Sequence, residues 1–124
     1  FLGHCNQSDF FNTISLLVVP SLWNEPFGRV VIEAYSYHVP VFMSVNGGLK
    51  ELVEPGLSMS FSTDTPNDLT LLLNKYFKNE IIFDSDSFKN AMVKYNQQII
   101  TEKYVNLYLK IKKSYEIYGT RYYN

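Results

Sequence analysis

The sequence predicts an α/β chain: a parallel sheet with flanking helices, followed by a helical C-terminal tail. Three observations carry this. Short strand-like segments at 16–19, 39–43 and 59–61, the first a continuous apolar run, alternate with stretches of helical spacing, as they do where crossover helices join parallel strands. Turn residues punctuate the runs: Pro20-Ser21, the segment Ser44–Gly48, and Pro55-Gly56. From Asp84 onward no strand pattern recurs, and apolar residues repeat every three or four positions. The expected division is therefore an α/β part over 1–83 and a helical tail over 84–124.

The first segment, Phe1-Leu2-Gly3, reads as the end of a strand. Ser8 is the expected cap of a short helix over Asp9–Ile14. Leu16–Val19 is a continuous apolar run with two valines, the pattern of a buried parallel strand. Val39–Met43 and Met59–Phe61 are the next two strands, with a short helix over Leu49–Val53 between them. Thr65, Pro66 and Asp68 predict a helix start, with Pro66 in the first turn and an acid favoured by the helix dipole. Leu69, Leu72, Leu73, Tyr76 and Phe77 continue that helix through about Lys78.

Composition bounds the class. At 124 residues, 46% hydrophobic and 19% charged, the chain is one small globular domain or a piece of one. No apolar run approaches the ~20 residues that span a bilayer. A lone cysteine, Cys5, excludes an internal disulfide and suits a reducing compartment. His4-Cys5 has no second pair at metal-ligand spacing. The net charge of −1 hides an asymmetry: residues 1–74 hold 2 basic and 7 acidic side chains, residues 75–124 hold 9 and 5. Lysines interleaved with tyrosines in the second part could serve a nucleic-acid or membrane face, but a solvated helix surface over an aromatic stripe is the simpler account. No nucleic-acid partner is expected.

The tail holds two helices, one from the Asp84-Ser85-Asp86 start to about Ile99 and one from Thr101 to about Tyr118. Acid-x-acid can chelate a cation, but its place just before a helix favours capping. No metal and no cofactor are expected. In the last helix Tyr104, Tyr108, Ile111, Tyr115 and Tyr118 form one stripe at steps of four and three. An uncovered stripe of this kind favours self-association.

The stretch with most chemistry is Asn24–Val41, NEPFGRVVIEAYSYHVPV. Asn24 as cap and Pro26 at the first helical position predict a helix from about Pro26 to Tyr37, stopped by Pro40. Such a helix points free N–H groups and a positive dipole end past Gly28, which makes an anion site. Glu33 lies about two turns on, roughly 10 Å at 1.5 Å per residue. A ligand with an anionic middle and hydroxyls on both sides would meet Glu25 at one end and Glu33 at the other. A nucleotide-sugar has that layout. Gly47-Gly48 follows a strand and precedes a helix, so it either approaches a phosphate or only makes a turn.

The run VVPSLWNEPFGRVVIEA followed by VPVFMSVNGGLKELVEPG resembles the donor-binding half of retaining glycosyltransferases of the GT-B fold, in the family-4-like group that includes bacterial lipopolysaccharide and capsule enzymes. Its signature is two glutamates separated by seven residues, matched by Glu25 and Glu33. The resemblance covers roughly residues 1–70 and departs at His38 and Met59, where glycine is usual. It implies a partial Rossmann-like sheet, the C-terminal half of a two-domain enzyme. In it Glu25 holds hydroxyls of the transferred sugar and is the catalytic residue, Glu33 holds the ribose, and backbone N–H groups of Phe27, Gly28 and Arg29 hold the diphosphate. It further implies that residues 1–124 form the C-terminal domain as a fragment, inactive without an N-terminal acceptor domain. The partner is a nucleotide-sugar. The location implied is cytoplasmic, with peripheral association of the full-length enzyme at the inner face of the membrane. Two other readings stay open: an epimerase or phosphorylase of the same fold, and a non-catalytic protein-interaction module.

Overall fold

The structure, a computed structural model, describes residues 3–118, the side chains of Ile117 and Tyr118 excepted. The expected strand end at Phe1-Leu2 lies outside the described residues. Three parallel strands, β1 (Leu17–Val19), β2 (Val41–Ser44) and β3 (Ser58–Phe61), form a sheet in chain order. Leu17 pairs with Val41, and Val41 with Ser58. The α/β class expected from the alternation, and the Rossmann-like sheet that the resemblance implies, are what the chain adopts.

β2 is the middle strand, and all four of its residues are buried. Side chains alternate across a strand, so Phe42 faces one side of the sheet and Val41 and Met43 the other. On the first side Phe42 packs with Phe61 and with Leu72 of helix α3 (Asp68–Phe77), ringed by Leu16, Val18 and Tyr76. Helix α2 (Arg29–Ser36) packs on β2 and buries Val31, Ala34 and Tyr35, the i, i+3, i+4 face of a helix. Burying each large apolar side chain stabilises by about 1.5–3 kcal/mol. The Tyr35 hydroxyl, itself buried, donates to the Leu52 carbonyl at 2.8 Å. β1 is only half-buried, against the expectation of a fully buried strand, because it has one strand neighbour among the described residues.

Several boundaries move. Helix α1 (Gln7–Phe11) is capped by Asn6, whose side chain accepts the Ser8 N–H, so Ser8 lies inside the helix and the helix stops short of Ile14. Helix α2 begins at Arg29 and not near Pro26, because the chain before it is held against Gly47. Helix α3 begins at Asp68, after Asn67 turns left-handed (φ 65°), and the Asp68 carboxylate accepts the Ser62 N–H at 2.7 Å. That bond fastens the helix start to the exit of β3, which displaces the start from Pro66. The short helix expected over Leu49–Val53 is a 3-10 turn over Gly48–Leu52.

The chain divides after Met92 into two compact units. Helix α4 (Ser85–Lys94) straddles the division and buries Phe88 and Ala91. The Asp84 carboxylate caps it, accepting from Asp86 N–H at 3.2 Å, Ser87 N–H at 3.0 Å and the Ser87 hydroxyl at 2.6 Å. The Ser87 hydroxyl first, then the Asp86 N–H, hold that carboxyl below the usual carboxylate range. α4 ends at Lys94 and not at Ile99, because Asn96 starts a new helix: its side chain accepts from Gln98 N–H at 2.9 Å and Ile99 N–H at 3.3 Å. Helix α5 (Gln97–Tyr118) thus begins four residues before Thr101. In its stripe Tyr104, Tyr108, Ile111 and Tyr115 are exposed, and the side chain of Tyr118 lies outside the described residues. No described helix is long and apolar enough to cross a membrane.

Candidate functional site

The loop leaving β1 and the loop leaving β2 meet at the carboxyl edge of the sheet, where open α/β sheets bind ligands. Glu25 forms an isolated parallel bridge with Gly47, and its carbonyl accepts the Gly48 N–H at 2.6 Å. Both glycines are required by that approach. A Cβ on Gly47 would fall against the backbone of Asn24 and Glu25, and one on Gly48 against the Pro26 carbonyl. Gly47 also sits at φ 63°, ψ −133°, a conformation open essentially to glycine alone. The Gly47-Gly48 pair is therefore the seat of the Glu25 loop.

This contact explains the late start of α2. Glu25 is held extended against Gly47, so Asn24 cannot cap a helix and Pro26 cannot occupy its first turn. The chain turns into the helix only at Gly28, left-handed at φ 70° and buried against Leu49. No side chain caps α2. Among the described residues none accepts a hydrogen bond from the N–H groups of Phe27, Gly28 and Arg29. The Phe27 side chain is half-exposed. An uncapped N-terminus with three open donors offers a negatively charged ligand fixed partners.

Glu33 lies one turn into α2 instead of two, a consequence of the same shift. Its carboxylate accepts from Arg29 Nε at 3.1 Å, with the Arg29 side chain 84% exposed and that of Glu33 25%. So exposed a pair contributes at most about 1 kcal/mol and opens readily to a ligand. Glu33 borders a recess of about 330 Å³, whose other walls include His4, Cys5, Gln7 and Phe10 from the α1 segment and Val30 from α2. The structure thus places Glu25 beside Gly47, Glu33 beside α1, and the open N–H groups on the chain between them. Sequence reasoning missed the α1 side of this arrangement. Nothing in the spacing of His4, Gln7 and Phe10 marks them as neighbours of a residue so far along the chain.

The acid-x-acid pair is engaged elsewhere: Asp84 caps α4, and Asp86 accepts from Lys89 Nζ at 3.0 Å. Among the described residues no three of His, Cys, Asp and Glu gather as a metal site would need.

The sequence pattern of the family described as glycosyl transferases group 1 matches residues 1–99, which takes in the sheet, both glutamates and the glycine seat. A Klebsiella pneumoniae protein described as "Uncharacterized 42.6 kDa protein in cps region" is 34% identical over 107 residues. That match covers 86% of this chain and 26% of the relative, so the chain spans about a quarter of that protein's length. With four-fifths of its residues matched, the chain belongs to the glycosyl transferases group 1 family.

Proposed function

We propose that the chain binds a nucleotide-sugar as the donor half of a retaining glycosyltransferase. The observation that carries this is the uncapped start of α2 at Gly28, with Glu25 seated on Gly47 upstream and Glu33 at a recess downstream. The diphosphate lies against the N–H groups of Phe27, Gly28 and Arg29. Glu33 exchanges its Arg29 partner for the ribose hydroxyls, and Glu25 holds hydroxyls of the sugar. In the reaction a nucleoside diphosphate leaves the anomeric carbon, and an acceptor hydroxyl arrives on the same face. Fixed N–H dipoles stabilise the charge growing on the leaving group without reorganising, because Gly28 and the glycine seat hold them in place. Glu25 orients the sugar. The acceptor site belongs to a further domain of the enzyme, and surface-polysaccharide assembly in the cytoplasm is the proposed setting, in keeping with a relative from a cps region.

Calorimetric titration with UDP-, GDP- and ADP-sugars and the corresponding diphosphates tests the reading. Glu33→Ala should weaken the diphosphate and the nucleotide-sugar alike. Glu25→Ala should weaken only the nucleotide-sugar. Each loss is expected at about 1.5–3 kcal/mol, the range for hydrogen bonds to a charged group. Equal losses for both ligands in both variants would defeat the assigned roles. Since the α2 donors meet the diphosphate directly and Asp84 and Asp86 are engaged, EDTA should leave the affinity unchanged. A cation-dependent affinity that Asp86→Ala abolishes would contradict this.

A further inference from the structure

The loop that carries Glu25 is fastened at two feet. The downstream foot is the main-chain seat on Gly47 and Gly48. The upstream foot is a single backbone oxygen, the carbonyl of Ser21, and it is held entirely by side chains. Ser44, the last residue of β2 and fully buried, donates its hydroxyl to that oxygen at 2.8 Å. Asn46, two residues on, donates its amide to the same oxygen at 2.6 Å and reaches the Thr63 hydroxyl at 3.4 Å. Between the feet, Leu22 is 82% exposed and Trp23 60% exposed, so the crest of the arch has little packing of its own.

The geometry points to Ser44 and Asn46 as positioning residues for Glu25, acting through the Ser21 carbonyl; this rests on the donor role proposed above for Glu25. A carbonyl oxygen has two lone pairs, and here one strand end supplies a donor to each. Ser44 continues the buried run Val41, Phe42, Met43, where packing alone would be met by an apolar residue. A hydroxyl there costs desolvation unless it is bonded, and its bond goes to the loop, four residues before Glu25. Asn46 ties the same point toward the exit of β3 through Thr63. The ends of all three strands are thus joined at the foot of the arch. A binding group must be held within about 0.5 Å of its productive place, and the crest cannot do this for itself.

Trp23 is the sole tryptophan of the sequence, so it reports on the arch without labelling. The test compares the wild-type full chain with Asn46→Asp, which keeps the shape and removes the donor, with Ser44→Ala, and with Ser44→Thr, which restores a hydroxyl. Time-resolved anisotropy of Trp23 reads loop motion. Calorimetry with UDP, UDP-glucose, GDP and GDP-mannose reads how much tighter the sugar-bearing ligand binds than its diphosphate. Asn46→Asp and Ser44→Ala should increase the fast local motion of Trp23. They should also cut the sugar preference by about tenfold, the equivalent of one well-placed hydrogen bond, with diphosphate affinity held within about twofold. Ser44→Thr should return both readings toward wild type. Unchanged Trp23 motion, or equal losses for the two ligands, would overturn the positioning role. If Ser44→Ala does not fold, the half-buried Asn46→Asp decides. A wild-type chain with no preference for the sugar would overturn the donor reading instead, and Trp23 motion alone would then decide whether the two side chains fix the arch.

Discussion

Helix α4 begins with the Asp84 carboxylate closing on the N–H groups of Asp86 and Ser87, whereas α2 begins on Gly28 with no side chain closing on it. Both starts were marked in the sequence by a cap residue, Asp84 and Asn24. One took up its role and the other did not. The difference lies in what surrounds each. The α4 cap is a local affair of four residues. The α2 start is dictated by the Gly47-Gly48 seat, more than twenty residues downstream of Asn24, which holds the chain extended until Gly28. A helix end satisfied by its own side chain has nothing left to offer a ligand. An end kept open by a distant contact does, and in this chain that end lies beside the two glutamates.

The comparison breaks most severely at the seat. Gly48→Ala places a methyl against the Pro26 carbonyl, and Gly47→Ala adds strain at a glycine-only conformation. Each should destabilise by about 3 kcal/mol or more in urea unfolding, at the upper end for single substitutions. A loss under about 1 kcal/mol would show that the two loops separate at little cost. Gly28→Ala comes next. Its methyl meets the end of the Leu49 side chain, which can shift, but the left-handed backbone remains, so about 2 kcal/mol is expected.

The smallest effect is at the capped end. Asp84→Asn should lower Tm slightly at neutral pH, and that difference should depend on acid. The Asp84 carboxyl titrates below its ordinary range, chiefly because the Ser87 hydroxyl and Asp86 N–H favour the charged form. Its contribution is therefore present above the ordinary carboxylate pKa and fades as pH falls through the lowered folded value. Melting curves of the two proteins should converge in that acidic window. Curves that stay apart there would assign the stability to something other than the charged cap.

The same contrast explains what could be read from the sequence. Strands β1 and β2 were legible as apolar segments closed by Pro20 and Ser44, and the short β3 by its place between Pro55-Gly56 and the next helix; parallel pairing follows from the helices between them. The Asp84 cap and the last helix were legible because both are local patterns. The start of α2, the left-handed Asn67 before α3, and the break at Tyr95-Asn96 were not, since a contact from elsewhere or a competing cap overrode a sound local signal. His38 is instructive. It adopts φ 58°, the left-handed conformation for which glycine is usual after a helix, while its ring lies 5.4 Å from that of Phe88. In the site, both glutamates were legible as a spaced pair. Their surroundings were not, because Gly47, His4 and Gln7 reach them only through the fold.

β2 pairs with both of its neighbours, and among the described residues no pairing in the sheet joins residues more than 24 positions apart. That has a kinetic consequence. Rates of folding fall as contacts become more distant along the chain, because longer loops must close before any contact forms. Here strand order follows chain order, so each crossover can close on the strand before it without waiting for a remote partner. Ser44 and Asn46 stand at the end of β2, so pairing of β2 with β1 brings both side chains to the Ser21 carbonyl. Both feet of the arch thus rest on β2 and the residues just after it, within 25 positions of the residues that they hold.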